Sequence, residues 1–112
     1  MARILVADDN RQFVRMLCVT LEDDGHEVAC AYSGLGAADL IEREDFDLVI
    51  LDMLMPGLSG DAVAERLRDA KPGVAVLLTT GVSGSQFAPA GYRLLRKPFT
   101  EQELLETVRG LL

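Results

Sequence analysis

Three short apolar runs in this chain have no polar interruption. They are Ile4-Leu5-Val6-Ala7, Leu48-Val49-Ile50-Leu51 and Val74-Ala75-Val76-Leu77-Leu78. A strand with one face in water alternates apolar and polar residues, so unbroken runs of this length belong to strands covered on both faces. Between the runs the spacing becomes helical. Phe13, Met16, Leu17, Thr20 and Leu21 recur on one helical face, with Asn10 placed to cap the helix and Gly25 to end it. Residues 37–43 read as a second helix with Leu40 and Ile41 inward, and residues 60–71 as a third with Val63 and Leu67 inward, stopped by Pro72-Gly73. Thr100-Glu101-Gln102-Glu103 has the form of a capping box and opens a last helix carrying Leu104 and Val108, with Leu111 or Leu112, on one side. Residues 27–31 and 93–95 supply two further strands.

Strands alternating with helices imply a parallel sheet sandwiched between helices. The expected architecture is α/β: a doubly wound, flavodoxin-like, five-stranded parallel sheet of order 2-1-3-4-5. One stretch breaks the alternation. Residues 81–91, where a fourth helix would stand, hold three glycines and a proline. These are poor helix-interior residues, so a short or irregular element is expected there.

The chain has 112 residues, 49% of them apolar, enough for one core and one domain spanning 1–112. No second folded unit is expected within it. A formal charge of −7 disfavours direct nucleic-acid binding, which needs clustered Lys and Arg, and disfavours anionic membranes as well. No apolar run is long enough to cross a bilayer, and the residues before Asp8 are too few for a signal peptide. Cys18 and Cys30 form neither a disulfide framework nor a metal motif. A cytoplasmic protein with reduced thiols is the expectation.

In a doubly wound sheet, ligands bind beyond the carboxyl ends of the strands. Here those ends carry Asp8-Asp9, Asp52, Thr79-Thr80 and, just after the last strand, Lys97-Pro98. Clustered carboxylates repel unless a cation intervenes, and their oxygens suit Mg²⁺, which keeps several waters and leaves room for a phosphate oxygen. A nearby ammonium and a hydroxyl could balance and hydrogen-bond a phosphoryl group. Phosphoryl transfer requires little beyond positioning and charge stabilisation, and a carboxylate can serve as its nucleophile.

Five segments, taken together and in order, carry a resemblance. Ile4 to Asn10, Asp47 to Pro56, Gly60, Thr79-Thr80-Gly81 and Lys97-Pro98-Phe99 look like a response-regulator receiver domain, CheY-like, of two-component signalling. The resemblance covers essentially the whole chain. It implies that Asp52 is the phosphate acceptor and Asp9 a direct Mg²⁺ ligand. It also implies that Asp8 reaches the ion through water and that Leu54 offers a backbone carbonyl. Thr80 matches the hydroxyl residue that moves toward the phosphoryl group, preferred over Thr79 because it directly precedes the small Gly81. Lys97 matches the family's lysine, with a cis bond to Pro98 expected; Pro98 sets that register against Arg96.

The implied partner is a sensor histidine kinase or a histidine phosphotransfer protein. The domain would not be a conventional enzyme, though it would catalyse its own phosphorylation and a slow autodephosphorylation. Homodimerisation and attachment to a longer hybrid kinase stay open. In the family the first helix docks on the phosphodonor, and Val14, Cys18 and Val19 are expected on the outward side of that helix as an apolar patch. His26 reads as a solvated turn residue. The chain departs from the family pattern at Leu94, where an aromatic residue normally stands, with Tyr92 two positions earlier. That departure and the short fourth helix look more like receivers attached to sensor kinases.

Rival readings are weaker. A Mg²⁺-dependent aspartyl-phosphate phosphatase would want a second Asp where Leu54 stands. A degenerate receiver acting only as a binding module would have lost a site residue, and none is lost. A flavodoxin-like nucleotide or flavin binder would want a phosphate loop where Asp8-Asp9 stands.

Overall fold

The computed structural model describes residues 1–81 and 91–112. Five strands, β1 (Arg3–Ala7), β2 (Glu27–Ala31), β3 (Leu48–Asp52), β4 (Ala75–Thr80) and β5 (Arg93–Arg96), form one sheet. Every pairing is parallel and the order is β2-β1-β3-β4-β5. Among the described residues four helices cover it: α1 (Arg11–Asp23), α2 (Gly34–Arg43), α3 (Gly60–Ala70) and α4 (Glu101–Leu111). The expected fourth helix at 81–91 falls, for residues 82–90, outside the described residues. No described helix is long and apolar enough to cross a membrane.

The unbroken runs are explained by two cores. Successive side chains of a strand point to opposite faces. Leu5, Ala7, Val49, Leu51 and Leu78 pack with α2 and α3 residues such as Ala37, Ile41, Val63 and Leu67. Ile4, Val6, Leu48, Ile50 and Leu77 pack on the other face with Val14, Leu17 and Leu21 of α1 and Leu104 and Val108 of α4. Burying a leucine side chain on either face stabilises by roughly 1.5–3 kcal/mol, so both faces need apolar residues.

Local signals set the helix ends. The Asn10 side chain accepts from Phe13 N–H at 3.1 Å, and Gly25 takes φ +93° after α1. The capping box at Thr100 and Glu103 is complete. Helix α2 begins at Gly34, three residues before the expected start, because Ser33 caps it through Gly36 N–H at 3.0 Å. Gly34 is required there: a Cβ at that position would lie 1.8 Å from the Leu58 carbonyl oxygen.

The inward face of α1 differs from expectation. Val14 and Cys18 are buried, whereas Met16 is exposed and Phe13 only partly covered. Val14, Leu17, Cys18 and Leu21 make a stripe at i, i+3, i+4, i+7 that meets the sheet. Of the expected apolar patch only Val19 is exposed, so a charge at Val14 would enter the core and report on folding, not docking. His26 is also corrected. It is largely buried, its Nδ1 accepting from Ala2 N–H at 3.1 Å and its Nε2 lying 3.6 Å from Asp24.

Candidate functional site

A parallel sheet aligns the carboxyl ends of its strands along one edge. Asp8 and Asp9 follow β1, Asp52 ends β3 and Thr80 ends β4. Lys97 follows β5, and its N–H donates to the Thr80 carbonyl at 2.8 Å. The Lys97-Pro98 bond is cis, as expected from the sequence. The strand ends therefore bring together all the sequence-derived side chains of the site. Thr79 lies beside Asp52 in register, one step short of the edge.

The three aspartates each place a carboxylate oxygen within 4.8 Å of the others. Asp8 and Asp52 are buried, while Asp9 is exposed. Lys97 Nζ lies 2.6 Å from Asp8 Oδ2 and 3.6 Å from Asp52 Oδ2. It also sits 4.3 Å from the Phe13 ring centroid, and that ring meets Phe99 edge-on at 5.7 Å. The Phe13 ring, braced by Phe99, thus lies against the ammonium beside the acids. The other oxygen of Asp8 accepts from Asn10 N–H at 2.9 Å. Both Asp8 oxygens are thus engaged, leaving Asp9 and Asp52 better placed to ligate a cation directly. Leu54 exposes its side chain, and its N–H approaches Asp52 Oδ1 at 3.4 Å. Only its backbone has a part in the site, which is why a leucine is tolerated there.

Three carboxylates against one ammonium leave the pocket negative. Burial, and then the Asp8 charge, push the Asp52 carboxyl above its ordinary range despite Lys97. A divalent cation would remove that penalty. Among the described residues Thr80 Oγ1 is buried without a hydrogen-bond partner, an unsatisfied group of the kind that an incoming oxygen ligand would satisfy. The donor set, all hard oxygens, fits Mg²⁺.

A carboxyl whose folded pKa is raised costs the fold when ionised, so metal-free stability falls as pH rises through the raised value. Asp52→Asn is expected to stabilise the protein in chelator at pH 7.5 by on the order of 1 kcal/mol. The gain should fade as the pH is lowered and the wild-type carboxyl takes up its proton. Urea denaturation of both proteins across pH checks this; an equal difference at every pH would contradict it.

Two residues shape this edge in ways the sequence did not assign: Gly60, which carries part of the resemblance but no stated role, and Phe13. Gly60 stands so close to β3 that a Cβ would lie 2.1 Å from the Asp52 carbonyl oxygen. Its N–H donates to the Met53 carbonyl at 3.1 Å, and Met53 N–H donates to Thr79. Phe13 was placed only on a helix face; its proximity to Lys97 depends on α1 and the segment after β5 coming together at the sheet edge and has no local signal. Away from the pocket, Tyr92 is partly buried beneath Arg68, whose guanidinium carbon lies 4.3 Å from the ring centroid.

Comparison with known proteins agrees with this geometry. Residues 4–109 match the response regulator receiver domain. The transcriptional regulatory protein TctD of Salmonella typhimurium is 36% identical over 115 residues, covering 98% of this chain and 51% of that protein. The chain thus spans about half the length of the curated relatives it matches. Among solved structures, the response regulator TrrA of Thermotoga maritima, in complex with Mg²⁺-BeF, is 34% identical with a TM-score of 0.90 over all of both chains. A receiver domain protein from Clostridium thermocellum is 32% identical, with a TM-score of 0.91 over 99% of this chain and 94% of that one. Receivers are signalling modules, typically non-enzymatic, whose acidic triad binds Mg²⁺ and whose typical role is to accept phosphate. The chain belongs to the response regulator receiver domain family of two-component signalling.

Proposed function

We propose that residues 1–112 form a single receiver domain in which Asp52 accepts a phosphoryl group from a phosphohistidine. The donor is a sensor histidine kinase or a histidine phosphotransfer protein, in keeping with the kinase partnership general to the family. The observation that carries this reading is the convergence of Asp8, Asp9 and Asp52 within 4.8 Å, with Lys97 reaching the buried pair.

Asp9, Asp52 and the Leu54 carbonyl would hold Mg²⁺, with Asp8 reached through water, and the bound ion would neutralise phosphoryl oxygens. The chain's own residues do the rest. An Asp52 carboxylate oxygen attacks phosphorus. The phosphorus–nitrogen bond breaks, its electron pair stays on the imidazole, and an acyl phosphate forms on Asp52. Lys97 pairs with one phosphoryl oxygen, and the Thr80 hydroxyl, which has no partner among the described residues, donates to another. Water slowly hydrolyses the product, so the domain catalyses its own reset without being a conventional enzyme. The phosphorylation state then controls protein interactions, in a stand-alone regulator, a homodimer or a longer protein.

Leu94 occupies the position where an aromatic switch residue would stand, and Tyr92 is held by Arg68. The relay from Thr80 would therefore run through a different bistable element.

Incubation with Mg²⁺ and acetyl phosphate tests the reading by intact mass. One acid-labile phosphoryl group is expected, absent in Asp52→Ala and abolished by chelator. Beryllofluoride should raise the thermal midpoint under the same conditions. No modification and no beryllofluoride response would replace this reading with a receiver that acts only as a binding module.

A further inference from the structure

Cys18 of α1 and Cys30 of β2 take no part in the aspartate pocket. Both are free thiols, and their sulfurs lie 2.6 Å apart although the residues are 12 positions apart in sequence. A disulfide holds its sulfurs at about 2.03–2.05 Å, so bonding asks for a shift of only about half an ångström. The two cysteines line a surface cavity of about 340 Å³ that also bears Arg11, Arg15 and Tyr32. Arg15 is exposed, and the Arg11 guanidinium carbon stacks 4.1 Å from the Tyr32 ring centroid. An open cavity of this size admits a small molecule, and two guanidinium groups favour an anionic one.

We propose that Cys18 and Cys30 are a reversible redox pair, closed into an intramolecular disulfide by exchange with a small anionic disulfide that enters this cavity. The pairing is independent of the phosphorylation reading.

Cys30 attacks first, because it is the more accessible of the two; Cys18 is buried. Its thiolate displaces one half of the small disulfide as a thiolate and forms a mixed disulfide. Cys18 is the resolving residue. Burial, and then its hydrogen bond with Cys30, push the Cys18 thiol up to about 12, so it does not start the exchange unaided. It passes its proton to the departing thiolate and attacks Cys30 Sγ, expelling the second half. The net change oxidises two protein thiols and reduces one small disulfide to two thiols.

The bond would tie α1 to β2 next to the acid pair, since Asp8 N–H donates to the Ala31 carbonyl at 3.2 Å. Closing it is expected to raise the thermal midpoint by roughly 5–10 °C.

The test uses the full chain, glutathione disulfide as probe, and intact mass with thiol titration as readouts. Wild type should lose two hydrogens and both titratable thiols, form no disulfide between chains and recover with dithiothreitol. Cys18→Ser should keep one glutathione on Cys30, whereas Cys30→Ser should react at least tenfold more slowly. Cystamine, a cationic disulfide, should react several-fold more slowly than glutathione disulfide with wild type. Retention of both thiols, a lasting glutathione adduct on wild type, or disulfide-linked dimers would each overturn the pairing. Equal rates for the two disulfides would overturn the anionic preference.

Discussion

Lys97→Ala is expected to slow phosphorylation of Asp52 by about 10²–10³-fold while leaving Mg²⁺ binding intact or tighter. On the proposed mechanism the ammonium is the group that neutralises charge developing on the phosphoryl oxygens, and losing one such preorganised donor costs about that much in enzymes. Mg²⁺ binding should move the other way, because Lys97 now competes for Asp8 at 2.6 Å. The metal-free protein should also lose on the order of 2 kcal/mol, since Asp8 is buried and would keep only its Asn10 N–H partner. Mg²⁺ should restore most of that loss. Lys97→Arg should not rescue the rate, because a planar fork cannot occupy the position of a point charge packed over Phe13. Phosphorylation kinetics with acetyl phosphate, Mg²⁺ titration and denaturation in chelator measure the three effects separately. A rate within a factor of three of wild type would remove Lys97 from the mechanism.

Gly60→Ala is expected to be among the most damaging single-methyl changes in the domain. The added Cβ would fall 2.1 Å from the Asp52 carbonyl oxygen and 2.7 Å from its carbonyl carbon. Those atoms are backbone of a central strand, so no side-chain rotation relieves the clash. The cost should reach about 3 kcal/mol, well beyond the ~1 kcal/mol that alanine gains over glycine in a helix. Whatever shift relieves the clash also moves Asp52, so surviving folded protein should phosphorylate slowly. Gly110→Ala is the control: a Cβ there meets nothing within 4 Å, and stability should rise by roughly 0.5–1 kcal/mol. Urea melts of both variants decide the matter; equal stability would mean that α3 can slide away from β3 without cost.

The site was more legible in the sequence than the packing around it. Asp8, Asp9, Asp52, the Thr79-Thr80 pair and Lys97 are grouped by one rule, that strand ends of a parallel sheet share an edge, while the choice of Thr80 over Thr79 came from the family resemblance. Strand ends were readable because each apolar run stops at a polar residue. Helix α1 was misread because it carries apolar side chains around more than half its circumference. Leu17 and Leu21 belong to both candidate stripes, and only contact with the sheet selects Val14 and Cys18 over Met16. The start of α2 was missed because Gly34 and Gly36 are poor helix formers, although Ser33 was a usable cap signal. Gly34 is retained for its approach to Leu58, a contact across the fold that no local pattern encodes. The nearness of Cys18 to Cys30 had the same origin. It required both the inward face of α1 and the pairing of β2 with β1 to be known.

Lys97 and Asp8 are 89 positions apart in sequence yet in direct contact. The pocket therefore has no partial version. A chain still emerging from the ribosome can carry Asp8, Asp9 and Asp52 and still lack the charge that balances them. Contacts of such separation close late, after their loop entropy is met by the rest of the sheet. On the proposed reading, an incompletely assembled molecule is loaded with phosphate far more slowly than a finished one. The rate at which the label is acquired would then report completion of the sheet edge, which a time-resolved refolding experiment with acetyl phosphate present could follow directly.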